Sequence, residues 1–318
     1  MNKLEISVLI TTYNCGEYIT QSIKSILNQT YKDFELLIID DGSTDNTEKI
    51  ISGFYDERIR YIKLPHAGRS KALNYGLKVA KSGWVALMDA DDISHSVRLE
   101  RQVEHIVKGN NFIISTWSAY FVKNKILYTV ETPQFGPEVK RKLALHSYIC
   151  NSSVLFNKNF ILASGGYNEN LERFEDYELW LRIKDKAEFV VIPGYFQFVR
   201  VRKDSSSNFN KIETRKIIYG IQETYYRDFH SNFLNYSKFE ELAVRGWREF
   251  FYGDKIKARS QWEKLFFAKP SIKIFLAYLL TFLPTFYLNS VRELRFKLRL
   301  KYILKKIMTL NELPLQNG

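Results

Sequence analysis

The chain has 318 residues, 45% of them hydrophobic, which supports a buried core and excludes a disordered polymer. The 47 Lys and Arg against 35 Asp and Glu leave a formal charge of +12, which points to an anionic partner: a nucleic acid, a phospholipid surface or a phosphorylated substrate. Two cysteines, Cys15 and Cys150, lie far apart and form neither a paired zinc motif nor a disulfide framework, so a reducing compartment is expected.

A short β-branched run at residues 6–11 reads as a strand. It has no small-residue cleavage site, so it is not a signal peptide, and the chain is expected to start in the cytosol. Ile19, Ile23, Ile26 and Leu27 recur at helical spacing before an apolar run at 35–39. Beyond Asp41-Gly42-Ser43-Thr44, where Ser43 or Thr44 is placed to cap a helix reaching Tyr55, the pattern predicts a strand over 60–63, a helix over 69–80 and a strand over 84–88. This alternation predicts an α/β fold: a mixed, mostly parallel sheet with helices on both faces. Residues 112–130, broken at Lys123-Asn124-Lys125, predict a hairpin or mixed sheet beside the parallel strands. A helix over 174–185 and strands over 188–192 and 195–201 follow. Residues 203–210 read as a linker, dividing the chain into a first domain over 1–205 and a helical C-terminal region over 206–318.

In an open parallel sheet, ligands bind beyond the carboxyl ends of the strands. Three polar groups directly follow predicted strands: Thr11-Thr12-Tyr13-Asn14, Asp40-Asp41-Gly42-Ser43 and Asp89-Ala90-Asp91-Asp92. Taken singly, each has a plain structural reading. Asp-Gly-Ser is a common turn with a helix cap, and residues 89–92 suit a solvated loop that caps the next helix at Ser94 or Ser96. Taken together, they collect carboxylates that repel one another unless a cation or a donor-rich ligand lies among them. Asp89 and Asp91 have the spacing to share one hydrated divalent ion.

These motifs resemble those of the family 2 glycosyltransferases, which have the GT-A fold. The likeness is carried by Thr11-x-Tyr13-Asn14, Ser25-Ile26-Leu27-Asn28-Gln29-Thr30-Tyr31, Asp40-Asp41-Gly42-Ser43-Thr44-Asp45, Gly68-x-x-x-Ala72-x-Asn74, Asp89-Ala90-Asp91-Asp92 and Glu175-Asp176-Tyr177-x-Leu179-Trp180. The resemblance implies an inverting transferase that moves a sugar from a nucleoside diphosphate sugar, UDP-linked by expectation, to a hydroxyl of a glycan or lipid-linked acceptor. It implies that Thr11, Tyr13 and Asp41 hold the base and ribose, with Arg69 a further candidate for that pocket. Asp89 would contact the ribose or a metal-bound water, Asp91 would bind Mg²⁺ or Mn²⁺, and Asp176 would take the acceptor's proton. Glu175 would orient the acceptor, and Trp180 would sit in the core. On spacing alone, Glu175, Asp176 and Glu178 suit the positive end of a helix.

The resembled pattern places Arg-x-His after the last strand, whereas this chain has Arg200-Val201-Arg202. A guanidinium cannot ligate a cation, so Arg202 is a candidate for direct diphosphate contact, with an exposed edge-strand arginine as the plain reading. Two other classes compete. A nucleotidyltransferase is disfavoured because Cys15-Gly16-Glu17 is no basic phosphate loop, and a non-catalytic sugar-nucleotide-binding scaffold is disfavoured by the retained aspartates.

Near the C-terminus, residues 274–288 carry no charge but include Pro284 and fall short of the roughly 20 residues of a membrane span. Arg292, Arg295, Lys297, Arg299, Lys301, Lys305 and Lys306 then interleave with apolar residues. This basic amphipathic pattern suits the anionic cytoplasmic leaflet, with packing on the first domain or on another copy as the alternative. The chain is expected to be peripheral on the inner face of the cell membrane. Nucleic acid is not expected as a partner, since no recognised binding motif accompanies the basic residues.

Overall fold

A computed structural model describes residues 6–106, 109–134, 136–202, 212–226 and 238–283. The described residues form two compact units, one within 6–140 and 147–202 and the other within 141–146 and 212–283.

The first unit opens with β1 (Ile6–Thr12), α1 (Ile19–Leu27), β2 (Phe34–Asp40), α2 (Thr47–Ile51), β3 (Ile59–Lys63), α3 (Arg69–Val79) and β4 (Trp84–Asp89). β3, β2, β1 and β4 lie side by side, all parallel, as the alternating pattern requires. Every residue of β1 and β2 is buried, so both are mainly apolar, and the polar pair inside them, Ser7 and Glu35, is satisfied by the Ser7 hydroxyl donating to the Glu35 carboxylate. Ile6, Val8 and Ile10 point to one face, where they pack with Ile19, Ile23, Ile26 and Leu99. Leu9 and Ile39 meet α3 at Gly76, where an added Cβ would lie 2.5 Å from Leu9 Cδ1, so a larger residue there would have to push the Leu9 side chain aside.

The sheet continues through β8 (Leu155–Asn157), β6 (Phe112–Val122), β9 (Glu188–Arg200) and the two-residue β5 (Ile93–Ser94), with β7 (Lys125–Val130) paired to β6. β8 is antiparallel to both β4 and β6, β9 is parallel to β6, and β6–β7 is the expected hairpin. The sequence pattern predicts two strands where the structure has the single strand β9. Its register on β6 shifts opposite Trp117, near Gly194 at φ 143°. Shorter elements complete the order: α4 (Arg98–Val103), α5 (Gly136–Leu143), α6 (Lys158–Ala163) and α7 (Glu175–Ile183). Neither Ser43 nor Thr44 caps a helix. α2 starts only at Thr47, and the Ser43 hydroxyl instead accepts the Asn14 N–H at 2.9 Å.

The second unit contains α8 (Ile212–Tyr226), α9 (Lys238–Phe251), α10 (Lys255–Ala268) and α11 (Ile272–Leu280). Phe250, Ala258, Trp262, Leu265 and Ala277 form its core. Asp254 caps α10 by accepting the Ile256 and Lys257 N–H groups. No helix among the described residues is long and apolar enough to cross a membrane. The basic pattern at residues 289–318 lies outside the described residues.

Candidate active site

The register of the parallel strands sets the site. Thr12 lies beside Asp40 and Thr11 beside Asp89, so the segments following β1, β2 and β4 leave the sheet at one edge. Two loops are stitched together there: Asn14, at φ 51°, accepts the Thr44 N–H at 2.8 Å, and Asp45 accepts the Gly16 N–H at 3.0 Å. Asp40 is fully buried and accepts the Ser43 N–H and the Tyr61 hydroxyl, each at 2.7 Å, so it serves the turn.

Asp41 is buried, and its two carboxylate oxygens accept the Ala67 and Gly68 N–H groups at 2.8 and 2.9 Å. His66 Nδ1 lies 2.9 Å from the same carboxylate, and its ring stacks on Tyr13 with centroids 4.1 Å apart and planes 19° from parallel. Gly68, at φ 101°, turns the chain into α3 immediately before Arg69.

Arg69 connects the ends of two elements. Its Nη2 donates to Asp89 at 2.6 Å, and its Nε donates to Glu175 at 2.7 Å. Burial alone would lower its pKa, but the charges of Asp89 and Glu175 more than offset this and hold it well above the ordinary value. Glu175 is buried, and Asp176 is half-buried beside it. Burial, and next the Glu175 charge, push the Asp176 carboxyl up to about 7. Its Oδ1 accepts the Tyr177 N–H at 2.7 Å. The residue before α7 is Phe174, a bulky side chain at φ 61°, and backbone held in that region is costly and concentrates at functional sites.

On the other side of β4, Arg202 Nε lies 3.2 Å from Asp91 Oδ2. Burial, and then the Asp89 charge, raise the pKa of Asp91, while Arg202 and Arg69 oppose the shift. Asp92 is buried and joins three segments: its carboxylate accepts the Arg200 N–H at 2.9 Å, the Ser152 hydroxyl at 2.5 Å and Gln197 Nε2 at 3.4 Å. Arg200 Nε donates to the Asp91 carbonyl at 2.8 Å, and its guanidinium lies over Tyr18 and Phe121. Among the described residues, no group of three or more His, Cys, Asp or Glu has metal-binding spacing. Asp89 and Asp91 are close enough for the Asp89 charge to raise the Asp91 pKa, and each already faces an arginine, Arg69 and Arg202; two such carboxylates would suit a hydrated Mg²⁺ or Mn²⁺.

The family model described as glycosyl transferase family 2 matches residues 7–164. WfaP of Escherichia coli, named as a UDP-Glc:alpha-D-GlcNAc-diphosphoundecaprenol beta-1,3-glucosyltransferase, is 32% identical over 57% of this chain and 71% of its own length. This chain belongs to glycosyltransferase family 2. Two uncharacterized glycosyltransferases, of Rickettsia bellii and Rickettsia conorii, are 31% and 34% identical, and the chain spans about a third of their length, 30% and 33%. TarS 1–349 of S. aureus, in complex with UDP-GlcNAc, superposes with a TM-score of 0.59 at 15% identity, covering 87% of this chain and 90% of that one. The mannosyltransferase PcManGT of Pyrobaculum calidifontis, in complex with GDP-Man and Mn²⁺, gives 0.57 at 15% identity over 96% and 88%. These likenesses establish the GT-A fold.

Within this glycosyltransferase, the structure gathers Thr11, Tyr13, Asp41, Arg69, Asp89, Asp91, Glu175, Asp176 and Arg202 along linked segments of one unit. Sequence reasoning passed over His66, whose signal is its place just past the end of β3, where the other polar groups also fall. The cap expected at Ser94 or Ser96 is absent, since α4 follows an uncapped Val97, and Asp92 instead ties β9 to the Asn151–Ser153 turn. Asn74, quoted only within a motif, holds the loop ahead of α7: it donates to the Tyr167 carbonyl and accepts the Tyr167 N–H.

Proposed function

We propose that this glycosyltransferase is an inverting enzyme that uses a nucleoside diphosphate sugar, UDP-linked, and a glycan or lipid-linked hydroxyl acceptor. The observation that carries the reading is the Arg69 bridge. It fastens Asp89, at the end of β4, to Glu175, and so sets Asp176 beside the carboxylates that would face the diphosphate. A carboxyl with a pKa near 7 is matched to general-base work at neutral pH. The acceptor oxygen attacks the anomeric carbon as its proton passes to Asp176, the bond from that carbon to the diphosphate oxygen breaks, and the nucleoside diphosphate leaves with the electron pair.

Tyr13, with Thr11 and Asp41, receives the base and ribose. Both oxygens of Asp41 already accept loop N–H groups, so base contact uses their remaining lone pairs. Glu175 is assigned a positioning role through Arg69 in place of acceptor contact, because it is buried and already paired. Arg69 likewise positions Asp89 and Glu175 in addition to lining the nucleotide pocket. Asp89 and Asp91 hold Mg²⁺ or Mn²⁺, which when bound offsets the charge of the departing diphosphate. Arg202, already paired to Asp91, supplies positive charge to the same group. A lipid-linked acceptor places the enzyme on the inner face of the membrane, against an anionic surface. WfaP is named for a UDP-Glc donor and a diphosphoundecaprenol acceptor, and the TarS structure holds UDP-GlcNAc; both support this choice of substrates.

A panel of nucleotide sugars incubated with acceptor and divalent ion tests the proposal. Release of nucleoside diphosphate and a product of inverted anomeric configuration are expected. Pyrophosphate release would indicate a nucleotidyltransferase, and a retained configuration would exclude the single-base scheme.

A further inference from the structure

Among the described residues, the helices of the second unit leave an apolar surface exposed along α11. On α11, Ala277 is buried, and Ile274, Tyr278 and Leu280 pack against the Trp262 core. The opposite stripe is no more polar: Ile272, Phe275, Leu276 and Leu279 are 74%, 40%, 54% and 44% exposed. Their spacing of three and four residues makes them neighbours on one helix face. Phe282 follows at 51%, and Phe267, near the end of α10, stands 77% exposed. A water-facing helix carries polar residues on its outer face, and a helix apolar all round belongs in a core or in lipid. At nine residues α11 is far below the roughly 20 of a span, so lipid could meet it only from the side.

The charges choose among occupants. Lys264, Lys269 and Lys273 are exposed, and Glu263 is the one Asp or Glu over residues 263–283, which leaves that stretch at +2. A second copy docked by this face would bring one net positive surface against another. Anionic headgroups complement the lysines while the apolar stripe enters the acyl boundary.

We propose that the α10–α11 surface carrying Phe267, Ile272, Phe275, Leu276 and Leu279, bordered by Lys264, Lys269 and Lys273, seats this glycosyltransferase on an anionic lipid surface. The inference rests on the membrane reading given above and gives it a location within the described residues.

The test is sedimentation of the full chain with vesicles of phosphatidylcholine alone or mixed with phosphatidylglycerol. Binding to the mixed vesicles and weak binding to the neutral ones are expected. The triple variant Phe275→Ser, Leu276→Ser, Leu279→Ser should reduce partition by about tenfold or more, since each side chain loses lipid burial. Lys264→Gln, Lys269→Gln, Lys273→Gln should weaken binding to mixed vesicles by roughly fivefold per lysine and leave neutral vesicles unaffected. Phe275 also packs on Phe266, with ring centroids 5.6 Å apart, so the melt of each variant is recorded, and Leu276→Ser alone, at the more exposed position, serves where the triple variant melts early. Absence of binding by the parent, or triple-Ser binding equal to the parent's, would overturn the proposal. So would a parent dimer that the triple-Ser variant converts to monomer with no change in lipid partition. Nucleotide release from the sugar panel, run on the same variants without vesicles, keeps the two readings apart. Lost partition with normal turnover supports the seat, whereas vesicle binding without turnover in the parent would count against the catalytic proposal alone.

Discussion

The two halves of the sheet-edge site are built on opposite electrostatic terms. Around Tyr13 and Asp41 the charge is satisfied: Asp41 accepts two backbone N–H groups, His66 lies against it, and the loops beneath are stitched by Asn14 and Asp45. Around Asp89, Asp91, Asp92 and Asp176 the charge is crowded: Asp91, Asp92 and Asp176 are pushed upward by burial first, and next by the charges of Asp89, Asp91 and Glu175 respectively. Two arginines, Arg69 and Arg202, stand against that crowding. The contrast suits a shape-defining pocket beside a reacting centre. A pocket gains from groups that do not move, whereas a centre that must take a proton and face a diphosphate gains from carboxylates whose charge is not fully compensated.

The largest effect should come from breaking the crowded half at its base. Asp176→Asn keeps the shape and removes the proton acceptor, so turnover should fall by roughly 10²–10⁴-fold while nucleotide affinity, read by calorimetry, stays within about threefold. Near-normal turnover would exclude the role. The same variant should reveal the cost of the charge. Asp176 has a folded-state pKa of about 7, above the ordinary aspartate value of about 3.9, so the folded protein keeps a proton that the unfolded chain loses between those two values. Stability therefore declines as pH rises through that window. Asp176→Asn should melt higher than the parent at pH 8, by an amount on the order of 1 kcal/mol, and should match it near pH 4.

On the role proposed for Asp176, kcat/KM of the unmodified chain should rise about tenfold per pH unit up to an inflection near 7 and then level, because only an ionised carboxylate can accept the proton. Arg69→Gln should sharpen that profile. The Arg69 charge lowers the Asp176 pKa, so its loss should move the inflection to higher pH. Two carboxylates, one of them buried, would also lose their partner, at a cost of about 1–2 kcal/mol once the partial exposure of the guanidinium is allowed for. An unshifted inflection in a folded variant would detach Arg69 from Asp176.

Much of this was legible in the sequence because strand ends are. β1, β2 and β4 are mainly apolar runs that end at Thr12, Asp40 and Asp89, and a parallel sheet puts such ends on one edge. What was not legible depends on contacts distant in sequence. Arg69 and Glu175 lie 106 positions apart, and Asp92 and Arg200 lie 108 apart, and no local pattern announces either pair. The cap assigned to Ser43 or Thr44 failed for a related reason: Ser43 has a tertiary partner in Asn14, which took priority over the local helix start. β5 is two residues long and α4 six, too short for a periodic signal to stand out.

The smallest expected effect tests the satisfied half. His66 covers one face of the Tyr13 ring and reaches the Asp41 carboxylate, so it fixes the orientation of both groups proposed to meet the nucleobase. An aromatic pair of this geometry contributes about 0.5–1.5 kcal/mol beyond its area burial. His66→Ala should therefore weaken nucleoside diphosphate binding by roughly two- to tenfold, measured by titration calorimetry, with the pH inflection unmoved because Asp176 lies in the other half. Tighter binding would mean that the imidazole occupies the position of the base and must be displaced, which would turn the Tyr13–His66 stack from a support of the pocket into its competitor.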